Sequence, residues 1–120
     1  MYKTFTINIE KASIKNNNYR KVIYTDTNQQ IVLMSLNKGE YIHKEKHNGT
    51  QFFRVESGKG VAIIDGKKIQ LKDGISISVP KNIYHEIINT SDQKLKLYTI
   101  YSPPQHKPNE INKRQSLIEL

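Results

Sequence analysis

Two stretches of this chain carry side chains that together could hold a divalent metal ion. In Gly39 to Gly58, GEYIHKEKHNGTQFFRVESG, Glu45 and His47 stand two residues apart, and Gln51 follows a short Asn48-Gly49-Thr50 turn. Residues two apart on an extended strand point to one face, so Glu45 and His47 are expected side by side. The turn then folds Gln51 back beside them. In Gly74 to Asn89, GISISVPKNIYHEIIN, His85 comes just past a turn centred on Pro80, at the start of an apolar segment. The spacing predicts one site built from two hairpins. His43 shares the parity of Glu45 and His47, which would let it reach the same place; its other reading is an exposed strand residue.

Short strands must position these groups. Phe5, Ile7 and Ile9 alternate with Thr4, Thr6 and Asn8, the period-two pattern of a half-buried strand, so residues 2–10 are predicted as an edge strand. Lys11 to Asn18 is polar and reads as a connection. Arg20–Thr25 and Gln30–Leu36 follow as strands, then Phe52–Glu56 and Val61–Ile64 around a turn at Ser57-Gly58-Lys59-Gly60. Asp65-Gly66, between VAII and KKIQL, is the pair that a two-residue type I′ hairpin requires, because both central residues need positive φ. Ile75, Ile77 and Val79 alternate with serines, and Leu95–Tyr101 closes the series before Pro103, Pro104 and Pro108 end regular structure. Phe53 and Val55 are expected to share the inward face with Gln51, Ile77 and Val79 to line the core, and Tyr84 or Tyr98 to rim a pocket. His106, in the loop SPPQHKP after the last strand, reads as a surface histidine, with closing over the barrel opening as its alternative, and 109–120 as a short helix with Ile111, Leu117 and Ile118 on one side. Roughly eight to ten short strands with frequent turn signals predict an all-β sandwich or barrel of antiparallel strands.

Composition narrows the function. The 120 residues suit one domain, 1–120, with a tail from residue 102. There is no cysteine, which excludes a disulfide framework and a thiolate zinc site. The formal charge is +8 and the pI near 9.6, but the lysines are scattered rather than gathered in a stripe, so a nucleic-acid interface is not expected. The excess suits an anionic small molecule. No run of about 18 apolar residues exists to span a bilayer, and the N-terminus lacks a signal-type run; a soluble, cytoplasmic protein is expected. Covering edge strands predicts a symmetric homodimer.

The two stretches resemble the paired motifs of the cupin superfamily. Gly39, Glu45, His47, Gln51 and Gly58 occupy the first motif with every spacing kept, and Gly74, Pro80, Asn82, His85 and Asn89 occupy the second. The departures fall at ligand positions: Glu45 stands where the motif has its first histidine and Gln51 where it has glutamate. Asn82 replaces a glycine, and Asn tolerates the left-handed conformation that such a turn needs. The resemblance implies a jelly-roll or double-stranded β-helix barrel with one metal held by Glu45, His47, Gln51 and His85. Two imidazoles, a carboxylate and an amide suit Zn, Mn, Fe or Ni better than calcium. Gln51 has an alternative place as a group that orients His47 or a bound sugar hydroxyl.

Within the superfamily the chain is similar to small cupins described as mannose-6-phosphate isomerase-like, a likeness carried by QFFRVESGKGVAIIDGKK and INTSDQKLKLYTIYSPP. That implies binding of a small polar molecule such as a sugar or sugar phosphate, with metal-dependent sugar-phosphate isomerisation as the enzymatic form. Glu45, if it is not a ligand, or His43 would serve as the base. An Fe(II) dioxygenase and a non-enzymatic binding or structural barrel are the alternatives. Lys44, Lys46 and Arg54 flank the motif and favour an anion in each.

Overall fold

Antiparallel strands form two packed sheets in the computed structural model, which describes residues 3–115. The chain runs α1 (Ile9–Lys15), β1 (Arg20–Thr25), β2 (Gln30–Leu36), β3 (Tyr41–Glu45), β4 (Thr50–Ser57), β5 (Gly60–Ile64), β6 (Lys67–Leu71), β7 (Ser76–Val79), β8 (His85–Ile88), β9 (Leu95–Ser102) and β10 (Ile111–Asn112). The larger sheet has the order β10-β1-β2-β9-β4-β7 and the smaller β3-β8-β5-β6. This is the jelly-roll barrel expected from the two motifs.

Alternation decides what lies between the sheets. Val32, Met34 and Leu36 of β2, Phe53 and Val55 of β4, and Leu95, Leu97 and Tyr101 of β9 are buried on one face of the larger sheet; Ile42, Ala62, Leu71 and Ile87 meet them from the smaller. Each such aliphatic or aromatic side chain stabilises the fold by about 1.5–3 kcal/mol when fully buried. Val79 joins this core and Ile77 packs against it, as expected. The β5–β6 hairpin turns through Asp65 (φ 51°) and Gly66 (φ 81°), the predicted pair of left-handed residues.

Both ends of the chain depart from expectation. Residues 3–8 belong to no strand, and Ile9–Lys15 is a helix lying across β2, β9 and β4 on the outer side of the larger sheet. The Asn8 side chain accepts a hydrogen bond from the Lys11 N–H at 3.1 Å and so caps the helix. At its other end the buried Lys96 ammonium donates to the Asn16 carbonyl and, at 2.8 Å, to Asn17 Oδ1, supplying a cation to a helix C-terminus. The sheet edge that residues 2–10 were expected to form is instead closed by β10, which pairs Arg20 with Asn112 and Lys21 with Ile111. Ile111 is therefore in a strand rather than a helix, and Leu117 and Ile118 lie outside the described residues. Among the described residues no helix is long and apolar enough to cross a membrane.

Candidate metal centre

One end of the barrel gathers Glu45, His47 and His85, with one ligand atom from each lying within 4.8 Å of the others. Glu45 and His85 face each other across the β3–β8 ladder, where Tyr41 pairs with Ile88, Ile42 with Ile87, and Glu45 with His85. Two residues thus lie between Ile42 and Glu45, but only one between His85 and Ile87. The extra residue is a β-bulge, and it matters, because Ile42 and Glu45 have opposite parity and only a bulge lets both face inward. The same bulge breaks the parity argument for His43. That residue stands beside Tyr41, with ring centroids 6.3 Å apart, and not in the cluster.

The two loops that deliver the imidazoles are joined through the backbone. The Asn82 N–H donates to the His47 carbonyl at 2.8 Å, and Asn82 itself takes φ 64°, the left-handed state expected where the motif has glycine. Beside His47, Gly49 lies so close to Ser102 that a Cβ would come within 2.5 Å of its carbonyl oxygen. The His47 loop is therefore pressed against the end of β9.

The donor atoms are arranged for ligation. His85 is 1% exposed, and its Nδ1 lies 3.0 Å from the Ile83 carbonyl. A carbonyl only accepts, so Nδ1 carries the proton and Nε2 keeps its lone pair. That Nε2 is buried with no hydrogen bond; Glu45 Oε1, at 3.8 Å, is beyond reach. His47 Nε2 meets the same carboxylate at 3.0 Å. The side chains of Glu45 and His47 are 31% and 15% exposed, so the cluster is closed at His85 and open at Glu45. Burial raises the Glu45 carboxyl, but the His47 hydrogen bond and the nearby His85 ring outweigh it and hold the group at about 2. Glu45 is thus an anion throughout the physiological range.

Gln51 is buried on the inner face with Phe53 and Val55. Its Nε2 donates to Thr99 Oγ1 at 3.0 Å, while its Oε1 is buried with no hydrogen-bond partner. The orphaned His85 Nε2 leaves unmet a demand that a cation at this cluster satisfies, since a buried polar atom without a partner costs about 1–3 kcal/mol. The two imidazole nitrogens and the carboxylate that converge here fit a divalent transition metal.

Other expectations resolve differently. Lys44 and Lys46 hold their ammonium groups 5.1 and 4.8 Å from the ring centroid of Tyr84, where they make cation–π contacts. Arg54 is bound to Glu56 at 2.9 Å. Tyr98 packs on Phe52, whereas the tyrosine at the site is Tyr101, whose ring is 5.4 Å from His47. His106, read as a surface residue, is partly buried against Tyr101 with ring centroids 5.2 Å apart. The parity of Leu95, Leu97 and Thr99 marks Tyr101 as inward; nothing local marks His106.

Residues 32–101 match the family described as Cupin domain. The chain belongs to the cupin family. This cupin is 41% identical over 119 residues to an uncharacterized protein of Acanthamoeba polyphaga mimivirus, covering 94% of this chain and 74% of that protein. It is 40% identical over 111 residues to the uncharacterized protein YrkC of Bacillus subtilis, covering 87% of this chain and 60% of YrkC. The cupin thus spans less than two thirds of YrkC. Among solved structures, BH2720 of Bacillus halodurans superposes with a TM-score of 0.90 at 33% identity, over 92% of this chain and 89% of that one.

Proposed function

We propose that this cupin holds one divalent transition metal on Glu45, His47 and His85, with Gln51 completing the set, and binds or acts on a small polar molecule of the sugar or sugar-phosphate class. The observation that carries the reading is the convergence of the three donors within 4.8 Å. The metal, when bound, supplies a Lewis acid for hydroxyl or carbonyl oxygens. The protein's own part is to present the His85 lone pair, fixed by the Ile83 carbonyl, and an ionised Glu45. A carboxyl held at about 2 is a poor base at neutral pH, which favours Glu45 as ligand rather than as base, while His43 lies outside the cluster.

The donor set of two histidines and one carboxylate, open on the Glu45 side, supports a second reading as an Fe(II) dioxygenase. Self-association as a homodimer belongs to the same proposal. Phe5 and Ile7, 39% and 42% exposed, are the apolar groups that a partner would cover. The test loads metal-free protein with Zn, Mn, Fe(II) or Ni, measures stoichiometry by mass spectrometry, and screens neutral and phosphorylated sugars by ligand-observed NMR. One metal per chain with sugar binding is expected. No stoichiometric metal would overturn the site; metal without any sugar contact would overturn the ligand class, and oxygen uptake by the Fe(II) form would favour the dioxygenase.

A further inference from the structure

Positive charge gathers at the end of the barrel away from the histidines. The β4–β9 ladder runs from Thr50 opposite Ser102, beside the His47 loop, to Ser57 opposite Lys96, a span of about 20 Å at roughly 3.3 Å per residue. At the Lys96 end lies an open cleft of about 580 Å³, whose walls include Ile14, Ser57, Gln93, Lys94 and Lys96.

Two ammonium groups meet there on one neutral atom. Lys94 Nζ donates to Asn17 Oδ1 at 2.9 Å, and Lys96 Nζ donates to the same oxygen at 2.8 Å and to the Asn16 carbonyl. Lys96 is only 7% exposed, and a charge taken out of water is costly unless an opposite charge accompanies it. Among the described residues neither ammonium is ion-paired with a carboxylate. Glu56, next to Ser57 on β4, is bound to Arg54 at 2.9 Å, and Asp92, also in the cleft wall, pairs with Lys38 at 3.0 Å with its side chain 82% exposed. The carbonyl end of a helix supplies only about half of one negative charge, against two positive ones. Burial, and then the charge of Lys94, lower the Lys96 pKa, as expected of a cation held without its counter-ion. Donors remain for a ligand. Of the three N–H bonds on each ammonium, Lys96 has spent two and Lys94 one, and the Ser57 hydroxyl stands in the same wall.

We propose that this cleft binds a tetrahedral oxyanion, inorganic phosphate or the phosphate of a small phosphomonoester, which enters between Lys94 and Lys96 as their counter-charge. Phosphate suits the site because its several oxygens accept from both ammonium groups and from a hydroxyl at once, in charge-assisted hydrogen bonds. The site is separate from the metal centre and needs no ion there.

The experiment titrates metal-free protein, freed of chelator, with inorganic phosphate and with glycerol phosphate at constant ionic strength, and follows the backbone amides by NMR. Saturable binding is expected, with shifts gathered at residues 16–17, 57–58 and 93–96. Lys94→Gln, at an exposed position, should weaken phosphate about tenfold, the loss of one hydrogen bond to a charged group. Lys67→Gln with Lys68→Gln removes more charge, from the exposed turn of the β5–β6 hairpin, and should leave the affinity within about twofold of wild type, since diffuse attraction to a basic surface is not the cause of binding. Thermal unfolding reads the same site independently. Phosphate should raise the Tm of wild type more than that of Lys94→Gln, whereas in chloride Lys94→Gln should be at least as stable as wild type, because a repulsion is removed. Tighter binding of glycerol phosphate than of free phosphate would support a cleft that also holds the organic part, and equal binding would support the ion alone. Binding that does not saturate, an equal loss in the Lys67→Gln and Lys68→Gln double variant, or a Lys94→Gln protein destabilised to the same extent in chloride and in phosphate would each overturn the proposal.

Discussion

Acidification should destabilise the metal-free protein through His106, by an amount that the structure sets. Its side chain is 19% exposed, and burial, reinforced by Arg20, lowers its pKa from 6.5 to about 4. The unfolded chain takes up this proton near pH 6.5, whereas the native state does so only near pH 4. The unfolded state therefore binds more protons in that window, and stability falls as pH falls. The contribution is fully present above pH 6.5, declines between there and about pH 4, and is level below. At about 1.36 kcal/mol per unit the shift amounts to about 3 kcal/mol, or on the order of 10 °C in Tm for a chain of this size. The assay is urea unfolding in EDTA at a series of pH values from 7.5 to 4, comparing wild type with His106→Leu, where the titrating group is gone. Glu45 contributes with its own sign, since its lowered pKa gives stability above 4.5 that is lost toward about 2, but it is common to both proteins and cancels in the difference. The wild type should lose about 3 kcal/mol relative to the variant across the window; two parallel curves would refute the reasoning.

Three further outcomes follow from the same geometry. Replacing His47 and His85 together by Ala should abolish stoichiometric metal while circular dichroism keeps its β signature, because the apolar core rather than the ion builds the barrel; unchanged metal content would reject the site. Gly49→Ala should cost about 2 kcal/mol, measured by chemical denaturation, since its Cβ would meet the Ser102 carbonyl oxygen at 2.5 Å and Pro103 Cδ at 2.6 Å; a neutral variant would show that this loop yields easily. Light scattering at micromolar concentration should give about twice the 13.9 kDa chain mass, and a clean monomer would remove the homodimer.

The spacing of the two motifs foretold which side chains meet, because turns and strand parity bring distant residues to one end of a barrel with little freedom. Asp65-Gly66 and Asn82 were legible for the same reason: positive φ restricts residue choice so strongly that the residues announce the turn. The N-terminus misled. Phe5, Ile7 and Ile9 alternate as a strand does, but a strand needs a neighbour, and the edge of β1 is occupied by β10, which has only two residues and no strong sequence signal. The cue that was missed is Asn8, a capping residue followed by Glu10 in the first helical turn. His106 could not be assigned from its neighbours at all. Its burial depends on Gln30, separated from it by 76 residues, and a contact of that separation leaves no local trace.

The bulge in β3 divides that strand into two phases. Up to Ile42 it keeps step with the core, and from Glu45 onward it keeps step with the imidazoles. Flattening the bulge at the present strand length would turn the carboxylate to the outer surface while Ile42 and the packing beneath it stay in place, whereas deleting one residue between them would give an even ladder with both side chains still inward. Folding and ligation are thus written in separate reading frames along a single strand, and the one extra residue at the bulge is what brings both onto the inner face.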